Sequence, residues 1–341
     1  MTEPETAKKS PTKKKLIFNA FVEACSGHQS HGLWQHPDDC LAEFNTLQHC
    51  VKFAEPLEKA GFHEIFVADV LGAYDAYKGP KNVGSAASLG AQFPVNDPFG
   101  PVSAMAAATE NIGFGLTIST TFEEPFYLAR RLSTLDHLAG GRIDWNVVTG
   151  YLESPAQIYM PRPMNRWMWP KTAGICARAR ELGHDPQAIK FLVMVAPVLG
   201  ATEEEAQAKY NEYMSYGSKE DALALFGAYI GIDLSQFGDD QELQYVASNA
   251  IRTSVETWAY AIADEMKIGS LGATIVGIPE HAADELERWI CEADVDGFNF
   301  SYALMPRTFE EIIEFLLPVL RNRRLFWGLS SSRVTYRETS G

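Results

Sequence analysis

The sequence predicts an α/β fold of parallel strands joined by helices, and three features of residues 112–150 carry that expectation. Ile112 to Ile118 is short, apolar and partly β-branched, with two glycines, as suits a strand buried on both faces. Leu128, Leu132, Leu135 and Leu138 then recur at three- and four-residue spacing, a stripe expected to pack a helix onto the sheet. After the stop at Gly140 and Gly141, Ile143 to Val148 makes a second strand. Ser119, Thr120 and Thr121 follow the first strand, and Asn146 and Thr149 end the second. Strand–helix–strand with polar groups gathered at the strand ends is the repeating unit of α/β enzymes.

Composition narrows the function classes. The chain has 341 residues, 46% of them hydrophobic, enough for a large core in one big domain or two. A net charge of −15 argues against a nucleic-acid surface. Five cysteines without a CxxC pair suit free thiols in a reducing, cytoplasmic compartment. No run of eighteen apolar residues suggests a membrane span. Residues 1–15 hold five lysines and no apolar segment, so a flexible basic tail is expected before a single domain at 16–325, with a second tail at 326–341.

In chain order, the first strand is read at 16–22, followed by a loop with His28, His31, Trp34 and His36. Three histidines invite a metal reading, but no second ligand cluster accompanies them, and none is assigned. On the C-terminal face of a barrel, Trp34 and His36 would wall a substrate or flavin pocket, the alternative being a loop packed by its own aromatic residue. Asp38 or Asp39 is expected to cap a helix that runs to Ala60. Glu64 to Ala68 is a strand closed by Asp69, a carboxylate that is costly there unless paired or used; a helix cap or loop anchor is the structural alternative. Residues 71–97 lack periodicity, and a loop of that length is usually functional or disordered.

Asp97-Pro98 starts a helix that runs to Thr109. Beyond Tyr151 the alternation stops, and residues 151–172 show neither period. A helix at Ala173–Leu182, a strand at 189–198, helices from Thr202 to Tyr213, Lys219–Ala228 and Val255–Met266, and a short strand at Thr274–Val276 follow. Glu280–Ala293, a last strand at 297–301 and Phe309–Leu320 complete the pattern. No GxGxxG fingerprint, phosphate loop or nucleophile elbow is present.

The segment ARRLSTLDHLAGGRIDWNVVTG, with GLWQHPDD (32–39), AGFHEIFVADV (60–70) and VDGFNFSYALMP (295–306), resembles the flavin-dependent monooxygenases of the bacterial luciferase-like superfamily. The branch it resembles contains nitrilotriacetate monooxygenase, dibenzothiophene sulfone monooxygenase and pristinamycin IIA synthase. The resemblance implies a (β/α)8 TIM-barrel type of fold and reduced FMN supplied by a separate flavin reductase. It further implies O2 as co-substrate, and oxygen insertion next to nitrogen or sulfur of a small organic molecule. Residue by residue, it implies that Asp69, Thr120 and Asn146, with Thr149 beside them, contact the flavin ring or ribityl chain. It identifies no catalytic residue. About two βα units are expected to be missing after Tyr151, because six barrel strands are counted where a closed barrel needs eight. The family's phosphate-gripping loop would lie in that gap. The alternative reading is an inactive barrel remnant that serves as a binding or dimerisation partner, which leaves a homo-oligomer open.

Overall fold

The computed structural model describes residues 16–30, 32–150, 152, 181, 183, 190–236, 268, 272–293 and 295–328. Its strands are β1 (Ile17–Glu23), β2 (Glu64–Ala68), β3 (Gly113–Ser119), β4 (Ile143–Val148), β5 (Leu192–Leu199), β6 (Ala273–Gly277) and β7 (Gly297–Phe300). They form one sheet in the order β4-β3-β2-β1-β7-β5-β6, and every pairing is parallel. This is the TIM-barrel type with seven strands among the described residues, against the eight of a closed barrel. The expected strands are all present, and Thr274–Val276, left out of the count of six, belongs to the same sheet as β6. It pairs with β5 on the side away from β7, the edge that the strand preceding β5 would hold in a barrel of consecutive strands. An unpaired edge there would expose a row of backbone donors and acceptors.

Alternation gives the sheet two distinct faces. Phe18, Ala20, Val22, Ile65, Val67, Phe114, Leu116 and Ile118 point to one side and share a core with Leu57, Leu128, Leu135, Leu286 and Leu316 of the surrounding helices. The other parity carries the polar pairs, beside Phe21 and Phe66: Asn19 donates to Glu64 at 3.0 Å, and Asn146 donates to Thr117 at 2.9 Å. Gly115 leaves room for the Glu64 carboxylate, which a Cβ there would have to displace.

The helices are α1 (Leu47–Ala60), α2 (Val83–Leu89), α3 (Phe99–Ala108), α4 (Pro125–Leu138), α5 (Glu203–Tyr216), α6 (Lys219–Ile230), α7 (Pro279–Ala293), α8 (Arg307–Glu311) and α9 (Leu317–Asn322), with a π turn at Ile312–Leu316. Three differ from expectation. The cap of α1 is Thr46, which accepts from His49 N, and Asp39 instead accepts from Leu41 N at 2.7 Å and Met305 N at 3.1 Å. Asp39 thus ties two loops together rather than starting a helix. Leu138, at 80% exposure, leaves the stripe of α4 that Leu128 and Leu135 bury. Residues 71–97 contain α2, and this excursion packs Tyr74, Ala86 and Ala91 against Leu225, Phe226 and Tyr229 of α6 in a second small core. The helix expected at Val255–Met266, the basic tail, and nearly all of Ala173–Leu182 and 151–172 lie outside the described residues.

Candidate functional site

Parallel strands deliver their C-terminal ends to one rim, where barrel enzymes build their sites. Glu23 and Ala68 are register partners, so Glu23 and Asp69 end neighbouring strands. Thr120 continues β3, Asn146 lies near the end of β4, and Thr149 follows it. The four sequence-derived flavin contacts therefore sit along the ends of β2, β3 and β4.

Of the four, Asp69 opens onto a cavity of about 480 Å³ lined by Val70, Leu71, Ala73, Val83, Phe93, Val95, Phe99 and Ile118, with Asp97, Glu123 and Arg131 among its polar wall. Ile118 belongs to the apolar face of β3, which puts the cavity on the side of the sheet where α3 and α4 pack. Asn146 has the opposite parity and bonds Thr117 on the polar face. Thr120 is exposed, and both its backbone N and its hydroxyl donate to Val148 O, at 2.9 and 3.2 Å. Thr149 is exposed as well.

Electrostatics single out Asp69. Burial raises its carboxyl to about 7, helped by the nearby Asp97 charge. Arg131 stacks over Phe99 at 4.0 Å and bonds Glu123 at 3.0 and 3.2 Å and Asp97 at 2.8 Å. Its charge is therefore divided between two acids that line the same cavity. Arg131 is thus an ion-pairing residue here.

Sequence reasoning missed Glu23. It is buried at 4% exposure and accepts from Gln92 at 2.6 Å and from the Cys25 thiol at 3.3 Å. Gln92 also bonds Tyr74 at 3.1 Å and accepts from Tyr229 at 2.9 Å, so one carboxyl links β1, the 71–97 excursion and α6. Burial raises Glu23 to about 7. The signal was available, because Glu23 ends an apolar strand just as Asp69 does.

Trp34 and His36 do not line the cavity. Trp34 donates to Leu89 O at 3.1 Å and lies where a Cβ on Gly90 would go, which braces the segment leading to Phe93 and Val95. His36 is buried beside Tyr213 and Tyr216, with Nε2 3.6 Å from Glu212. His28 packs by Phe21 and Tyr302 instead, and among the described residues no group of three or more His, Cys, Asp or Glu is placed to hold a metal. No described helix is long and apolar enough to cross a membrane.

Comparison with known proteins fits this architecture. The profile of the family described as Luciferase-like monooxygenase matches residues 21–163. Dimethyl-sulfide monooxygenase of Hyphomicrobium sulfonivorans is 33% identical over 420 aligned positions that cover 91% of this chain and 87% of that protein. Since 420 exceeds the 341 residues of the chain by 79, at least that many aligned positions have no residue here. The long-chain alkane monooxygenase of Geobacillus thermodenitrificans is 29% identical, covering 95% of this chain and 94% of that one. The crystal structure of DmoA from Hyphomicrobium sulfonivorans superposes with a TM-score of 0.82 at 32% identity, covering 92% of this chain and 90% of that one. Fold, rim and identity over nine-tenths of its length agree: the chain belongs to the luciferase-like monooxygenases, in the branch its motifs resemble.

Proposed function

We propose that the chain is the oxygenase component of a two-component system, taking reduced FMN from a separate reductase and inserting one atom of O2 into a small organic substrate next to nitrogen or sulfur. The observation that carries this is the apolar cavity opening beside Asp69 at the C-terminal ends of β2 and β3. When bound, the reduced flavin supplies the two electrons; one oxygen atom enters the substrate and the other leaves as water. The protein's work is to hold the ring, exclude water and orient the substrate.

Among the described residues, the groups at this rim suit the ring end of the flavin better than its phosphate. Asn146 spends its amide N–H on Thr117 and keeps its carbonyl oxygen for a ring N–H. Asp69, near its titration midpoint at neutral pH, offers either a donor or an acceptor. Thr120 and Thr149, exposed at the ends of β3 and β4, suit the ribityl hydroxyls. Among the described cavity-lining residues the only cation is Arg131, already paired with Glu123 and Asp97, so no phosphate contact is assigned. Trp34 acts on the pocket through the segment it braces, while His36 packs against α5.

The test supplies photoreduced FMN, catalase, dialkyl sulfide and 18O2 to the purified chain. The expected product carries one 18O atom, at a rate that D69A lowers at least tenfold. Absence of labelled product with sulfide, amine and alkane substrates alike would refute the reading. One observation favours the alternative of a barrel-derived binding partner: Phe126, Tyr127 and Leu138 of α4 and Trp145 and Val147 of β4 are large apolar side chains, each of them exposed. Sedimentation that showed a stable assembly in an oxygenation-inactive protein would support it.

A further inference from the structure

We propose that the cavity beside Asp69 selects neutral, weakly polar molecules and rejects carboxylates, and that the Asp97–Arg131–Glu123 triad sets this selectivity. The inference rests on reading the cavity as the substrate site. Its apolar wall is formed by Val70, Leu71, Val83, Phe93, Val95 and Ile118, and its volume of about 480 Å³ falls in the range of small-molecule pockets.

Charge decides what kind of molecule that is. Three carboxyl groups, Asp69, Asp97 and Glu123, face this space with one guanidinium. Both ends of that guanidinium are taken, NH1 by Glu123 and NH2 by Asp97, and its face lies on Phe99. An anionic substrate would have to displace one of these acids or lie against them without a counter-ion. One unscreened like-charge contact at about 6 Å near a protein surface corresponds to roughly two decades of affinity. A neutral thioether, sulfoxide or hydrocarbon meets no such barrier and gains from every apolar wall residue.

Two matched probes separate the readings: dimethyl 3,3′-thiodipropionate, which is neutral, and its dianion 3,3′-thiodipropionate, with the same thioether core. Each is titrated calorimetrically into the full chain at pH 8, into V83W at the half-exposed cavity rim, and into the double variant D97N/E123Q. The ester is expected to bind about a hundredfold or more tighter than the dianion, and V83W to weaken it at least tenfold. Freeing Arg131 in D97N/E123Q is expected to narrow the gap at least tenfold by strengthening the dianion. A dianion that binds as tightly as the ester, with both lost in V83W, would overturn the charge selectivity while leaving the cavity as the site. Ester binding that V83W leaves unchanged, or no binding of either probe, would overturn the cavity reading and this inference with it.

Discussion

Replacing Glu23 by Gln should change the pH dependence of stability in one direction. In the native chain this carboxyl is fully enclosed at the end of β1, with the Gln92 amide and the Cys25 thiol as its donors. Burial raises it from 4.5 to about 7. An acid whose folded-state value is raised keeps its proton where the unfolded chain has lost it. Its contribution is therefore complete below about pH 4.5 and declines as pH rises towards 7, because ionisation favours the unfolded state. The gap of about 2.5 units corresponds to about 3 kcal/mol at 1.36 kcal/mol per unit. Gln keeps the shape and an acceptor for Gln92 but carries no ionisable proton. E23Q should therefore gain about 3 kcal/mol relative to the parent chain between pH 4.5 and pH 8. Neighbouring Asp69 is raised too, but it is present in both proteins and largely cancels in the difference. Urea unfolding at both pH values, with equal slopes, reads the effect. Parallel stability curves for the two proteins would refute the neutral Glu23.

Further outcomes follow from the packing. Arg142 is buried and donates five bonds at 2.7–3.0 Å, to Ala106 O, Thr109 O and Oγ1, Ile112 O and Ala139 O; R142M should cost about 3–5 kcal/mol in denaturant unfolding, and R142K, with only three donors, should recover less than half. G115A should cost about 1–3 kcal/mol, because its new Cβ meets the Glu64 carboxylate in the middle of the sheet; thermal melting checks it. His63 is lowered to about 4 by burial and accepts from Phe18 N at 3.2 Å, so it opposes the Glu23 trend. It should remove stability as pH falls from 6.5 towards 4, and H63Q should flatten that acid limb in unfolding measured at pH 4.5 and 6.5.

The parallel strand–helix alternation was legible because both periods are strong in the sequence. Ile112 to Ile118 could only be a buried strand, and Leu128 and Leu135 bury as their spacing requires. Leu138 failed because periodicity says which face a residue is on and not where the supporting sheet ends. The 71–97 excursion looked irregular because α2 is short and rests on α6, more than a hundred residues away. Asp38 and Asp39 carried a cap signal, yet Asp39 serves Met305, a partner no local pattern reveals. At the rim, strand ends could be located, but the side a group faces depends on parity beyond the last ladder pair. That is why Asp69, one residue past its strand, lines the cavity, whereas Asn146, still within β4, bonds Thr117 on the polar face.

Whether flavin sits at the ends of β2, β3 and β4, held mainly by its ring and ribityl chain, is tested most directly by titrating the chain with FMN and with riboflavin under fluorescence quenching. A phosphate gripped by two or three charged hydrogen bonds at roughly 1.5–3 kcal/mol each would favour FMN by at least a hundredfold. With the ring and ribityl contacts alone, riboflavin should bind within about tenfold of FMN, and D69A should weaken both equally. A hundredfold or greater preference for FMN, untouched by D69A, would contradict that placement.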